Sequence, residues 1–554
     1  MRLKHVVGMG TVAAALLGAA CAGDDPQLTA ALETMTAEDV AWHVQVLAAD
    51  SFEGRAPSSP GEVKTIEYLR VQFAELGLEP GNGDSYFQQV PLVSITANPN
   101  ARLTVRGGGA TNSYVYGRDM MAWTKRAVER AGVRDAELVF VGYGIVAPEY
   151  DWNDYEGVDV RDKMVVMLVN DPGFATKDSS LFTGNAMTYY GRWTYKFEEA
   201  ARRGAAGALV VHETEWAGYP WDVVEGSWSG EQFDLVHEDD NMSRVAVEGW
   251  ITRDAAGAVF EQAGLDFESL KAEAATRDFD AVPMGVTASV ALRNTVRRST
   301  SNNVVAVWPG TDRADEYVIY MGHWDHLGLD PALEGDQIYN GALDNATGIA
   351  GLLQVARAFT SLETRPQRSV MILAVTAEEQ GLLGSEYYAT HPVVPLAKTV
   401  ATINMDGLNV IGRMRDVTVI GLGYSELDDY LADAARAQRR RVRPDPESEK
   451  GFYFRSDHFS FAKQGVPALN ASAGIDHVEH GEQWTLERRA EYTAEKYHKP
   501  ADEYDPDWDL GGLVDDLGLV FRVGYALAAD AAFPNWRDGT PFKATRDSMM
   551  AEVR

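Results

Sequence analysis

Ser369 to Thr376 is a short, nearly continuous apolar run that ends in two adjacent carboxylates, Glu378 and Glu379, with Gly381 close behind. Such a run is the pattern of a strand covered on both faces, so the chain must supply helices for both sides of a sheet. The second half of the chain does this. Strands at Val304–Trp308, Tyr317–Met321 and Thr399–Ile403 alternate with helical segments, one of which carries Ile349, Leu352, Leu353, Ala356 and Phe359 on a single face. Further helices are expected at Leu382–Ala389, Glu426–Arg440 and Leu513–Ala529. Alternation of this kind predicts an α/β fold, a mixed and largely parallel sheet sandwiched by helices.

In open α/β sheets, ligands and catalytic groups gather beyond the carboxyl ends of the strands. The Glu378-Glu379 pair alone would read as a solvated loop, but it has company. Tyr317–Met321 runs into Gly322-His323-Trp324-Asp325-His326, and Thr399–Ile403 runs into Asn404-Met405-Asp406-Gly407. Between them, Asn340 to Gly348 places Asp344 at the mouth of a helix. Downstream lie Arg455-Ser456-Asp457-His458 and Tyr497-His498-Lys499-Pro500-Ala501-Asp502. Mixed imidazole and carboxylate donors suit zinc or a similar divalent ion rather than calcium.

The 554-residue length predicts more than one domain. Helices are expected at Thr36–Leu47 and Gly61–Leu76, the second closed by Gly77, with a polar connector at Ser51–Pro57 between them. From about Ala136 the texture changes to strands (Glu137–Val141, Lys163–Leu168, Ala208–Val211), a helix at Lys196–Arg203 and long aromatic-rich loops, followed by helices at Asp254–Glu261 and Phe267–Thr276. The expected division is an export signal at 1–21, the first part of the body at 22–135, an inserted β-rich module at 136–282, the rest of the body, with the ligand-type residues, at 283–535 and a C-terminal tail at 536–554.

The formal charge of −32 argues against nucleic acid or an anionic membrane surface as partner. Arg2 and Lys4 precede an uncharged run from Val6 to Ala20 and then Cys21, the only cysteine, which reads as an export signal. The placing of Cys21 resembles the lipid-modified cysteine of bacterial lipoproteins, which implies a periplasmic, cell-envelope or secreted protein whose sole membrane tie is that anchor. No internal disulfide can form. Nothing in the sequence fixes an oligomeric state.

The ordered set His-x-Asp, Asp in a Gly/Asp/Asn-rich turn, Glu-Glu-x-Gly, Asn-x-Asp and a late Tyr-His resembles the co-catalytic dizinc aminopeptidases, relatives of bacterial leucyl aminopeptidase and glutamate carboxypeptidase. The likeness covers about Thr36–Arg130 and Thr300–Ala532. Gly142-Tyr143-Gly144-Ile145, Gly157-Val158-Asp159-Val160, Lys163 and Gly204-Ala205-Ala206-Gly207 resemble a protease-associated domain. The resemblance implies peptide substrates and two zinc ions, one held by His323, Asp344 and Asp406 and the other by Asp344, Glu379 and His498. It implies Glu378 as general base and Asp325 as the carboxylate that orients a histidine ligand. His326 is expected to neighbour a ligand or sit in the core. Asp457 and His458 are expected to shape the pocket, to bind substrate or to serve the structure, and Asp502 to brace the loop carrying His498. Other members of the fold would be carboxypeptidases, which need a cationic pocket for which Arg439, Arg440 and Arg441 are the clustered candidates, single-zinc glutaminyl cyclases, or receptors such as the transferrin receptor that have lost ligands.

Overall fold

A computed structural model describes residues 25–553. Cys21 and the segment read as an export signal lie outside the described residues. The N-terminal helices form where capping chemistry permits. Thr36 Oγ1 accepts from Asp39 N at 3.1 Å to open Ala37–Leu47, and Ser59 with Pro60 at the first turn opens Pro60–Glu75. Gly77, at φ 81°, releases the chain from that helix.

The body is built on one sheet. From one edge its strands run Glu231–Leu235, Phe87–Ala97, Val282–Trp308, Arg368–Val375, Arg313–His323, Thr399–Asn404, Ala468–Ala473, Asp416–Ile420 and Arg441–Pro444. The central four, from Arg368–Val375 to Ala468–Ala473, are mutually parallel. Their residues are buried on both faces. Val318, Tyr320, Val370, Ile372 and Ala374 pack with the helices Thr347–Thr360 and Gly511–Ala529, while Ile319, Met321, Met371, Leu373 and Val375 pack with Tyr388 and Phe461 on the other side. Phe359 and Phe521, fully buried with ring centroids 4.7 Å apart, join two helices of the first layer, and truncating either would cost about 3–5 kcal/mol.

The inserted module has its own sheet and cores. Parallel strands Met164–Leu168, Gly207–His212 and Val247–Thr252 form its centre. The module begins earlier than the sequence reading placed it. Arg102–Gly107, Ala110–Val115 and Met120–Trp123, assigned above to the peptidase body, pair within this second sheet, and Leu103 and Val105 are fully buried in its core. The sheet needs these strands to cover edges that would otherwise present unpaired backbone. The strand expected at Val304–Trp308 is the end of a 27-residue strand, Val282–Trp308. Its first part pairs with Arg130–Phe140 in the module, its second with Phe87–Ala97 and Arg368–Val375 in the body.

Residues 536–553 are no loose tail. Trp536 is buried and donates Nε1 to Gly465 O at 2.9 Å, and Arg546 reaches Thr399 O at 3.0 Å. Among the described residues no helix is long and apolar enough to cross a membrane.

Candidate metal centre

Because Arg313–His323, Arg368–Val375 and Thr399–Asn404 are parallel neighbours, their carboxyl ends share one edge of the sheet. His323 stands opposite Val375, and Met321 opposite Asn404, so His323, the Glu378-Glu379 turn and Asp406 arrive at one place. Asp344 comes from the turn before helix Thr347–Thr360, and its peptide bond to Asn345 is cis. His498, at φ 55°, is carried in from the C-terminal side.

The two oxygens of Asp344 face different imidazoles. Oδ1 is 3.3 Å from His323 Nε2, which is also 3.3 Å from Asp406 Oδ1. Oδ2 is 3.5 Å from His498 Nε2, which is 2.9 Å from Glu379 Oε2. The donor atoms of His323, Asp344 and Asp406 lie within 4.8 Å of one another, as do those of His323, Glu378 and Glu379. His326, Asp344 and Glu379 form a third such group, with His326 Nδ1 2.5 Å from Glu379 Oε1. His326 thus neighbours a candidate ligand.

Asp325 makes two contacts here. Its carboxylate Oδ1 lies 3.8 Å from His323 Nδ1 and accepts the backbone N–H of Glu378 at 3.1 Å, while its backbone oxygen is 3.2 Å from His323 Nδ1. It therefore fixes the start of the Glu378-Glu379 turn as well as the histidine. Asp406 Oδ2 accepts from Ser456 Oγ at 2.6 Å, and Ser456 in turn accepts from Asn404 Nδ2 at 2.7 Å. Asp502 accepts the backbone N–H groups of Leu343 and Asp344 at 3.1 Å each. It thus braces the Asp344 turn and also the loop that carries His498, accepting from Tyr492 Oη at 3.2 Å and donating its N–H to Lys499 O at 3.0 Å.

Sequence reasoning missed Asn345. Its Nδ2 donates to Met405 O and His323 O, and its Oδ1 accepts from Gly348 N and Gly407 N, so one amide ties three ligand-bearing loops. Gly348 permits this, since a Cβ there would lie 2.2 Å from Asn345 Oδ1 and 2.4 Å from Met405 O. Tyr453 is buried in an aromatic cluster with Phe454, Phe459 and Phe542. Arg440 pairs with Asp516 at 2.6 Å and Arg441 with Asp476 at 2.7 Å, so neither is free to build a cationic pocket here.

The electrostatics test whether the residues suit a cation. Six carboxylates converge here, those of Asp325, Asp344, Glu378, Glu379, Asp406 and Asp457, and both oxygens of Asp457 are buried without a hydrogen-bond partner. Burial drives Asp325 up to about 8, with Glu379 and Asp457 adding to it against His323. Burial likewise raises Glu378 well above the carboxylate range, opposed by His323 and reinforced by Asp406, Asp457 and Glu379. Against burial, His323 and His498 hold Asp344 well below its usual value, and His498 and His326 hold Glu379 at about 2. The same acids overcome burial to raise His323 and His498 far above an ordinary imidazole. Protons on the imidazoles are answering a surplus of buried negative charge, which divalent ions bound by the same nitrogens and oxygens would answer better. The donor set fits zinc.

Residues 303–519 match the sequence model of Peptidase family M28. A mouse (Mus musculus) protein named aminopeptidase NAALADL1 is 33% identical over 129 residues, 22% of this chain and 16% of its own. A probable leucine aminopeptidase 2 of Aspergillus oryzae is 28% identical over 266 residues, 46% of this chain and 49% of its own. The chain thus spans half or less of the length of these curated relatives. The solved aminopeptidase from Aneurinibacillus sp. strain AM-1 superposes with a TM-score of 0.53 at 20% identity, covering 92% of this chain and 97% of that one, which establishes a common fold. The ligand-type residues that gather in the buried cluster, from His323 to His498, all lie inside the segment that matches Peptidase family M28.

Proposed function

We propose that the chain is a zinc-dependent exopeptidase, and within that class an aminopeptidase holding two zinc ions. One ion would be held by His323, Asp344 and Asp406, the other by Asp344, Glu379 and His498. The observation that carries this reading is Asp344, whose two oxygens face two imidazoles, each with a further carboxylate of its own. Bound there, the ions would lower the pKa of a water and polarise the scissile carbonyl.

The chain's own residues divide the remaining work. Glu378 belongs to the same short turn as Glu379, so a base stands beside a ligand. It takes a proton from the attacking water and passes it to the leaving amine. Asp325 keeps the turn in place through the Glu378 N–H. Elemental analysis alongside a panel of aminoacyl and blocked peptide substrates tests the reading. About two zincs per chain with release of free N-terminal residues is expected. Glu378→Gln should lower kcat by about 10²–10⁴-fold with zinc retained; loss of zinc in that variant would overturn the division of labour between Glu378 and Glu379.

One pair of cations favours a second reading, a carboxypeptidase that recognises the substrate's free carboxylate. Arg192 comes from the module and is buried at 9% exposure; Arg455 comes from the body, next to Ser456. Neither forms an ion pair among the described residues, and Arg192 Nε has no hydrogen-bond partner. Burial and then repulsion by Arg455 bring Arg192 down to about 10, and both arginines feel Tyr497, the residue before His498. In a chain of charge −32, two arginines without carboxylates beside the centre call for an anion from outside. If that anion is a substrate carboxylate, amidating the C-terminus of a dipeptide should raise KM at least about tenfold, and Arg192→Met should remove the difference. Equal rates on both substrates would exclude this reading.

A further inference from the structure

The connector between the first two helices, which sequence composition leaves as a loop, sends one arginine into the protein. Glu53, Gly54 and Arg55 stand at φ 52°, 62° and 51°, three left-handed residues in succession. Gly54 is required by contact as well as by conformation: a Cβ there would lie 2.4 Å from Gly328 O and 2.7 Å from Tyr339 O. The turn places Arg55 at 1% exposure.

Among the described residues no carboxylate pairs directly with Arg55. Its guanidinium donates instead to four backbone oxygens: Nε to Trp324 O at 2.9 Å, Nη1 to Leu47 O at 2.7 Å and to Asn340 O at 2.6 Å, and Nη2 to Gly341 O at 2.8 Å. Its own backbone oxygen accepts from His326 N at 3.3 Å. Trp324 lies between His323 and Asp325. Asn340 and Gly341 lead directly into the Asp344 turn. One rigid fork therefore joins the loop bearing His323 and the loop bearing Asp344 to the end of helix Ala37–Leu47. The same charge is felt by Asp502, Asp325, Asp344 and Glu379.

We infer that Arg55 is a positioning residue of the metal centre, setting the separation of the two loops that present His323 and Asp344. The inference rests on the metal-centre reading above. A planar fork can hold carbonyls in several directions at once, which an ammonium on a flexible stem cannot do. Removing it would also leave buried carbonyls without donors. Other fully buried arginines bind carbonyls far from the centre, as Arg546 does with Thr399 O, and they serve as controls for the general cost of changing such a group.

The test is zinc binding by the full-length chain, stripped and then titrated in competition with a chromogenic chelator, with melting of the metal-free protein followed in parallel. Arg55→Lys keeps the charge and loses the fork, and zinc affinity should fall about tenfold; Arg55→Met should lose about a hundredfold. Arg546→Lys should lower the melting temperature as much as Arg55→Lys while binding zinc like the wild type. Wild-type affinity in Arg55→Lys would overturn the inference, whatever the fate of Arg55→Met. Wild-type protein that takes up no zinc would instead sink the metal-centre reading, and this inference with it.

Discussion

In the inserted module, Lys196 is fully buried and its charge faces Asp154 and Asp171, while at the edge of the body's sheet six carboxylates face three imidazoles. The module's cluster is closed. Lys196 Nζ donates to Tyr143 O at 2.6 Å and Tyr190 O at 3.2 Å. Asp154 accepts from Ile145 N and Trp152 Nε1, and Asp171 accepts from Gly173 N, Thr188 N and Thr188 Oγ1. The body's cluster is open: Asp325 Oδ2, both oxygens of Asp457 and His326 Nε2 have no hydrogen-bond partner among the described residues. Both clusters are buried, so burial alone marks neither as functional. What separates them is whether the chain completes its own charge and hydrogen bonds. Where it does, the cluster holds a fold together; where it does not, the surplus defines what must bind.

The largest test of this contrast is Asp344→Asn. It takes the shared carboxylate from both triads, and kcat/KM should fall by about three orders of magnitude or more, with zinc content dropping below one per chain by elemental analysis. Lys196→Met should leave zinc content at the wild-type level; if it strips zinc, the two clusters are not independent. Metal removal comes next in size. Ligands present at about a thousand times Kd stabilise by about 4 kcal/mol, so a chelator should lower the melting of the body by on the order of 5–10 °C in calorimetry. Hydrogen exchange in the module's central strands should not change.

The smallest effect concerns pH. Burial lifts Asp154 to about 7, above its unfolded value, so the stability it contributes is complete at low pH and is lost as pH rises through 7. Burial pulls Lys196 down to about 7, so its contribution is complete above its unfolded value and is lost as pH falls through 7. The module should therefore be least stable near pH 7 and recover at higher pH. Lys196→Met keeps only the falling arm, and between pH 7 and pH 9 hydrogen exchange should show the wild type gaining on the order of 2 kcal/mol that the variant does not gain. Recovery of the variant above pH 7 would show that Lys196 does not set the rising arm.

His323, Asp344, Glu378, Glu379 and Asp406 were legible because each follows a strand or opens a helix whose apolar pattern is strong, and the helix end at Gly77 was legible for the same local reason; His498 was legible only through the late Tyr-His of the family resemblance. Other features depend on contacts that no short window contains. Arg55 sits in a polar connector, and only the left-handed turn decides that its side chain goes inward. Arg192 and Arg455 lie 263 positions apart in sequence and meet only when the module rests on the body, with Tyr189 against Phe459 at 4.9 Å. Helix Gly481–Glu495 buries Thr485 alone, so it leaves no apolar stripe to detect. The long strand did leave a signal: Met284, Val286, Ala288, Val290 and Leu292 alternate inward. The arginines and polar residues after Leu292, on an exposed stretch between the two cores, hid its continuation.

That strand also bears on how the sequence can change through descent. Val282–Trp308 is read by two sheets at once, with its first half registered against Arg130–Phe140 and its second against Phe87–Ala97. A single residue gained or lost within it turns every later side chain to the opposite face. An insertion near Arg293 would leave the module's half in place but present the wrong face of Val304–Trp308 to the strand that leads to Glu378 and Glu379. Length variation among descendants of this chain should therefore collect in the connecting loops and spare these 27 residues, however freely their exposed side chains are exchanged.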